Sequence, residues 1–134
     1  MITLIDTSLW IDFTRRRSPR SLKQFIAPYI LDRSVHLAEP VLFEVLRHAT
    51  PNESRQLARE FQTFPMLVTP PTLWTRAAEL GQACRHQGYT AKSLDLLIAG
   101  VALFHQAIVV TFDGDFQKIA AVCDLQVKWL PRPV

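Results

Sequence analysis

Four acids stand where acids are uncommon. Asp6 follows Ile2-Thr3-Leu4-Ile5, a short run apolar on both faces, as a strand buried on both sides is. Asp113 comes two residues after Ile108-Val109-Val110-Thr111, the clearest buried-strand pattern in the chain. If these strands are parallel neighbours, both acids share one rim of a sheet, at the carboxyl ends where open α/β sheets place their chemistry. Asp95 lies in the first turn of a helix that is apolar nearly all round, two residues after Ser93. Glu44 is alone among Val41, Leu42, Phe43, Val45 and Leu46. A carboxylate in such surroundings is costly without a positive partner. Hard oxygen donors with no nearby His or Cys partners point to Mg²⁺ or Mn²⁺ rather than zinc. Such an ion lowers the pKa of bound water and clamps a phosphate in line, which suits phosphodiester cleavage. No Ser/His/Asp set competes: His36, His48, His86 and His105 are scattered. The four glycines form no phosphate-binding loop.

Each acid also has an ordinary explanation. Asp95 can complement a helix dipole, worth about 0.3–1 kcal/mol. Asp113-Gly114 can be a turn, with Gly114 supplying the freedom it needs. Glu44 can project to solvent, and Asp6 can cap the helix after it. The joint pattern is stronger than any single member. Four carboxylates near one point repel, so at least one is expected to hold its proton to a raised pH when no metal is bound.

The elements that must position these residues alternate between strand and helix patterns, which means an α/β fold with a mainly parallel sheet flanked by helices. Thr7 and Ser8 are read as the stop of the first strand and the cap of a helix carrying Leu9, Trp10 and Phe13. Ser18 as cap and Pro19 at the first helical position open a second helix, to about Leu31. Residues 35–38 form a short strand. A helix runs from Glu39-Pro40 to about His48, with Glu39 read as lying outside it as a cap. Glu53 to Phe64 is helical, Met66 to Val68 briefly extended, and Thr72 to Gln87 helical until Gly88 ends it. Ser93 is read as the cap of the apolar helix. Strand 107–111, a short helix from Asp115 and a strand at 127–130 complete the chain.

One domain over residues 1–134 suits this length. A hydrophobic fraction of 49% and a net charge of +3 fit a folded, mildly basic protein, which permits nucleic-acid binding without requiring it. The longest apolar run, Leu96–Phe104, is too short to cross a membrane. No leader pattern opens the chain, so a cytoplasmic location is expected. Cys84 and Cys123 show no metal-ligand spacing.

Asp6-Thr7-Ser8-Leu9-Trp10-Ile11-Asp12, Glu44-Val45-Leu46, Ser93-Leu94-Asp95-Leu96-Leu97-Ile98-Ala99 and Thr111-Phe112-Asp113-Gly114-Asp115-Phe116 together resemble a PIN-domain ribonuclease of the VapC type, the toxin of bacterial toxin–antitoxin pairs. Their order and spacing extend over essentially the whole chain. The resemblance implies an Mg²⁺-dependent endoribonuclease with Asp6, Glu44, Asp95 and Asp113 as its acidic site. It implies that Asp115 supports the metal or its loop, and that the hydroxyls of Thr7 and Thr111 hold the carboxylates. It also implies a homodimer and a small antitoxin protein whose tail fills the groove. Trp10, Phe13 and Phe25 are read as apolar surface available to such a dimer. Glu39 is a rival to Glu44. Lys92, three residues before Asp95, could hold a phosphate of an RNA substrate, as could Arg15, Arg16, Arg17 and Arg47. A solvated basic loop explains these as well. Two other readings stay open: a receiver-like domain that accepts a phosphoryl group on an Asp, and a PIN fold retained as a non-catalytic binding module.

Overall fold

Leu4 and Ile5 are wholly buried, as a strand with no solvent face requires, and β1 (Thr3–Ile5) sits inside the sheet rather than at its edge. The computed structural model describes residues 1–133. Its order is β1, α1 (Thr7–Thr14), α2 (Arg20–Ile30), β2 (Val35–His36), α3 (Glu39–Arg47), α4 (Pro51–Phe61), α5 (Leu73–His86), α6 (Ser93–His105), β3 (Ile108–Thr111), α7 (Asp115–Ala120) and β4 (Gln126–Trp129). The four strands lie in the order β2-β1-β3-β4 and every pairing is parallel. Thr3 pairs with both Val35 and Ile108, and Ile5 with Val110. Strand order therefore reverses direction at β1 and β3, which is the switch point where such sheets open a crevice. Asp6 and Asp113 follow these two strands, on one rim as expected.

Buried apolar side chains from both sides of the sheet form one core, including Leu9, Ile26, Ile98, Val101, Phe116 and Ile119. Helix α6 is buried on nearly all sides, with Ile98, Ala99, Val101 and Ala102 fully covered. Gly100 is what lets α5 come so close, since a Cβ there would stand 2.7 Å from Leu73 Cδ1.

Several boundaries differ from the sequence reading, for local reasons. Asp6 itself caps α1: its side chain accepts from Ser8 N. Pro19, not Ser18, precedes α2, and Lys92, not Ser93, precedes α6; neither makes a side-chain cap. Glu39 is the first residue of α3 rather than outside it, with Ala38 at the cap. Its carboxylate accepts from Thr69 Oγ1. Helix α4 starts earlier than Glu53, because Thr50 and Glu53 form a reciprocal capping box around Pro51. Residues 66–68 make a single bridge, Met66 to Leu37, and no strand. Gly114 has φ −64°, a value open to any residue, so the turn does not depend on glycine. Gly88, at φ +84°, does end α5 as expected.

Trp10 overturns the surface argument for a dimer. It is only 2% exposed, and its ring meets Phe61 and Phe64 edge-on at 5.1 and 5.4 Å. Phe13 and Phe25 pack partly against the core. The large apolar side chains that do face solvent include Phe43, Val68, Trp74 and Phe104.

Candidate active site

Asp6 is 4% exposed, and three donors converge on its Oδ2: Ser8 Oγ at 2.8 Å, Thr111 Oγ1 at 2.8 Å and Ser8 N at 3.4 Å. Burial pushes its carboxyl up, and these hydrogen bonds pull the other way. Thr111 Oγ1 also accepts from Asp113 N at 2.8 Å. One hydroxyl thereby links the carboxylate of Asp6 to the backbone of Asp113. Thr7 does not share this role: its Oγ1 is buried with no partner. The holding hydroxyl on β1's side belongs to Ser8, which also accepts from Phe112 N at 3.2 Å. Ser8 was missed because a helix-start serine reads as a cap. Its i+2 spacing from Asp6 is the signal that could have found it, since an Asp cap accepts from that position.

Asp95 reaches this rim from the first turn of α6. It is 6% exposed, and its Oδ2 is buried without a hydrogen-bond partner. Burial first, then the charges of Asp6 and Asp113, raise its carboxyl to about 7; Lys92 opposes this, and Glu44 adds a smaller upward push. Asp95, Asp113 and Asp115 each present a carboxylate oxygen, and these lie within 4.8 Å of one another. Asp113 Oδ1 also accepts from Asp115 N at 2.9 Å. Asp115, expected only as a support, is thus a full member of the tightest group. Glu44 is half-buried on α3, between the buried Val41 and Val45. Its helix is less enclosed than the sequence suggested, because Phe43 is 57% exposed and Leu46 36%.

An orphaned buried oxygen among several carboxylates is the arrangement a hard divalent cation satisfies. These residues fit Mg²⁺ or Mn²⁺.

The basic candidates divide. Lys92 is exposed beside the acids. Arg15, Arg16 and Arg17 follow α1 at the end away from Asp6 and line an open groove of about 780 Å³ with Lys23, His48 and Glu53. Arg47 is exposed, with its guanidinium 6.0 Å from the Phe43 ring centre. The structure does not gather Arg15, Arg16 and Arg17 at the acids. A hollow of about 960 Å³ is also elsewhere: Thr3, Tyr29, Ile108 and Lys128 line it near the amino ends of the strands. The candidate site is an acidic rim, not a deep cavity.

Exchanging Ser8 for Ala should show which hydroxyl matters. Ser8→Ala removes one of the donors fixing Asp6 and should lower any metal-dependent activity about 10–100-fold, as losses of supporting hydrogen bonds do. Thr7→Val removes an unpaired hydroxyl and should change it no more than a few fold, at equal or higher melting temperature. Initial rates and melting curves on the two variants check this.

The family model for the PIN domain matches residues 3–122. The chain belongs to the PIN-domain family. Ribonuclease VapC11 of Mycobacterium tuberculosis strain H37Rv is 32% identical over 128 residues, covering 92% of this PIN domain and 95% of that protein. Ribonuclease VapC21 of the same strain is 40% identical over 67 residues, and that match spans about half of each chain, 48% and 49%. Among solved structures, VapBC2 of Rickettsia felis, bound to a DNA fragment from its promoter, superposes at a TM-score of 0.76 and 17% identity, over 97% of this chain and 99% of that one. Mycobacterium tuberculosis VapC20, described as a toxin that cleaves the sarcin-ricin loop, superposes at 0.70 and 19% identity, over 92% and 98%. The expected family and the expected α/β fold both hold.

Proposed function

We propose that this PIN domain is an Mg²⁺- or Mn²⁺-dependent endoribonuclease and the toxin of a toxin–antitoxin pair. One observation carries the reading: Asp95 holds a buried, unpartnered oxygen beside Asp113 and Asp115, and a single hydroxyl links Asp113 to Asp6. The names of the relatives support it. Asp6, Asp95 and Asp113 would hold the ion, with Glu44 and Asp115 as further oxygen donors. When bound, the ion would lower the pKa of a water and neutralise charge on the scissile phosphate. The chain's own part is to keep these acids ionised and aligned. Ser8 and Thr111 do so for Asp6, and Lys92 favours the charged form of Asp95. Of the basic residues that the sequence singled out, Lys92 is best placed to meet an RNA phosphate. Arg15, Arg16, Arg17 and Arg47 would grip the backbone only of an RNA that extends well past the acids.

A small antitoxin is the proposed protein partner and a homodimer the proposed assembly. Such a dimer would draw on exposed side chains such as Val68, Trp74 and Phe104 rather than on Trp10. Among the described residues no helix is long and apolar enough to cross a membrane, and a cytoplasmic setting suits the reading. The receiver-like alternative loses its ground because the PIN match extends over residues 3–122. Purified protein incubated with RNA, with chelator and then with added Mn²⁺ or Mg²⁺, tests the function. Cleavage that survives chelator at full rate rejects the metal mechanism, and no cleavage in any metal supports the binding-module alternative.

Glu44 is proposed to complete the site in preference to Glu39. Glu39 is exposed and engaged by Thr69, whereas Glu44 lies near enough to Asp95 for its charge to be felt there. Glu44→Gln should lose most activity, about 10-fold or more, and Glu39→Gln should stay within about twofold of wild type. The opposite ranking would reassign the ligand.

A further inference from the structure

Lys118 brings a cation to the edge of the acid cluster. Its Nζ lies 3.5 Å from Asp115 Oδ1 and 4.8 Å from the centre of the Tyr89 ring. The spacing of three residues along α7 stacks Lys118 beside Asp115. Tyr89 supplies the other wall. It is held where α5 ends, by its N–H to Cys84 O at 3.0 Å, just past the left-handed Gly88. The ring stands within electrostatic reach of the same three acids: burial, then Asp115, Asp95 and Asp113, push its phenol up to about 12. The ammonium is thus flanked by an aromatic face and a carboxylate, a pairing that favours cations. With its side chain 59% exposed, it stays free to move away.

We propose that Lys118 sets the metal affinity of the site. It is a tethered counter-charge on Asp115 that a divalent ion entering among Asp95, Asp113 and Asp115 must displace or sit beside. The inference rests on the metal-dependent reading above and adds a residue to it. A unit charge roughly 6 Å from a divalent ion in water-like surroundings weakens binding about tenfold, and about threefold once salt screens the pair. The enzyme would therefore load metal only at higher free concentrations than its carboxylates alone would need.

Mn²⁺ binding to the purified full chain, read from the free-ion signal in electron paramagnetic resonance, tests this without any cleavage assay. Lys118→Gln should bind Mn²⁺ about three- to tenfold more tightly than wild type at low salt. Lys118→Arg, which keeps the charge, should stay close to wild type, and the gap should shrink at high salt. Melting curves establish that both variants fold, as an exposed position leads one to expect. Equal or weaker binding by Lys118→Gln, with wild type still binding, overturns the role of Lys118 and leaves the metal-dependent function standing. Tightening in Lys118→Arg as large as in Lys118→Gln also overturns it, because charge would not be the cause. Failure of all three proteins to bind Mn²⁺ rejects the metal reading, and this inference with it.

Discussion

Asp6→Asn should cleave RNA at least about 10²–10³-fold more slowly than wild type at saturating Mn²⁺, while folding normally. The magnitude is that of removing one preorganised electrostatic element from a reaction centre. Asp6 is the acid most completely built into the protein, with three donors on one oxygen and 4% exposure. An amide there cannot accept those bonds with a charge behind them, and it presents a neutral group to the cation. The fold should survive because Asn is isosteric and also a good helix cap. Single-turnover cleavage of an RNA substrate, with circular dichroism of the same preparations, measures both halves. Activity within tenfold of wild type would remove Asp6 from the site.

Asp95→Asn should make the metal-free protein more stable at neutral pH. An unfolded Asp titrates near 3.8, and in the folded chain Asp95 does so at about 7. Below about pH 4 both forms are protonated and the difference vanishes. As pH rises from about 4 to about 7, the unfolded state gives up its proton while the folded state keeps it. Wild-type stability falls through that window. Above about 7 both are ionised and the penalty is constant. The whole gap would be worth about 4 kcal/mol at ~1.36 kcal/mol per pH unit. Water at the rim screens the neighbouring acids, and about 2 kcal/mol is the expected gain. The melting temperature in chelator at pH 7.5 should then rise roughly 5–10 °C, with no rise at pH 4. Added Mn²⁺ should raise wild type more than Asp95→Asn, since binding to the folded state is what stabilises. A variant that melts below wild type in chelator and gains as much from metal would make Asp95 an ordinary helix-start residue.

Both variants rest on positions that the sequence already marked. Asp6 and Asp113 were legible because a doubly buried strand leaves a continuous apolar run, and an acid at its end is conspicuous. Asp95 was legible because its helix is apolar all round. The chain's alternation of patterns made the parallel sheet legible too. Ser8 was not, because a hydroxyl at a helix start reads as a cap, and its second bond, from Phe112 N, forms only once β3 lies beside β1. Asp115 was underrated because Asp-Gly-Asp looks like turn chemistry until α7 folds it back toward Asp95. Trp10 was misplaced for the converse reason: Phe61 at the end of α4 and Phe64 just after it cover the ring, from more than fifty residues away.

The hydroxyl of Thr111 and the carboxylate of Asp6 lie 105 residues apart in the chain. That separation bears on how the protein is made. Long-range parallel pairing forms late, after its loop-closure cost has been met. The first acid leaves the ribosome early, but β3 must follow before the pair can form. At ~5–20 residues per second, the nascent chain spends roughly 6–20 s carrying Asp6 without its partners. During that interval it has no assembled acidic rim. The ribonuclease proposed above would therefore be inert toward RNA until β3 has been made and has paired with β1.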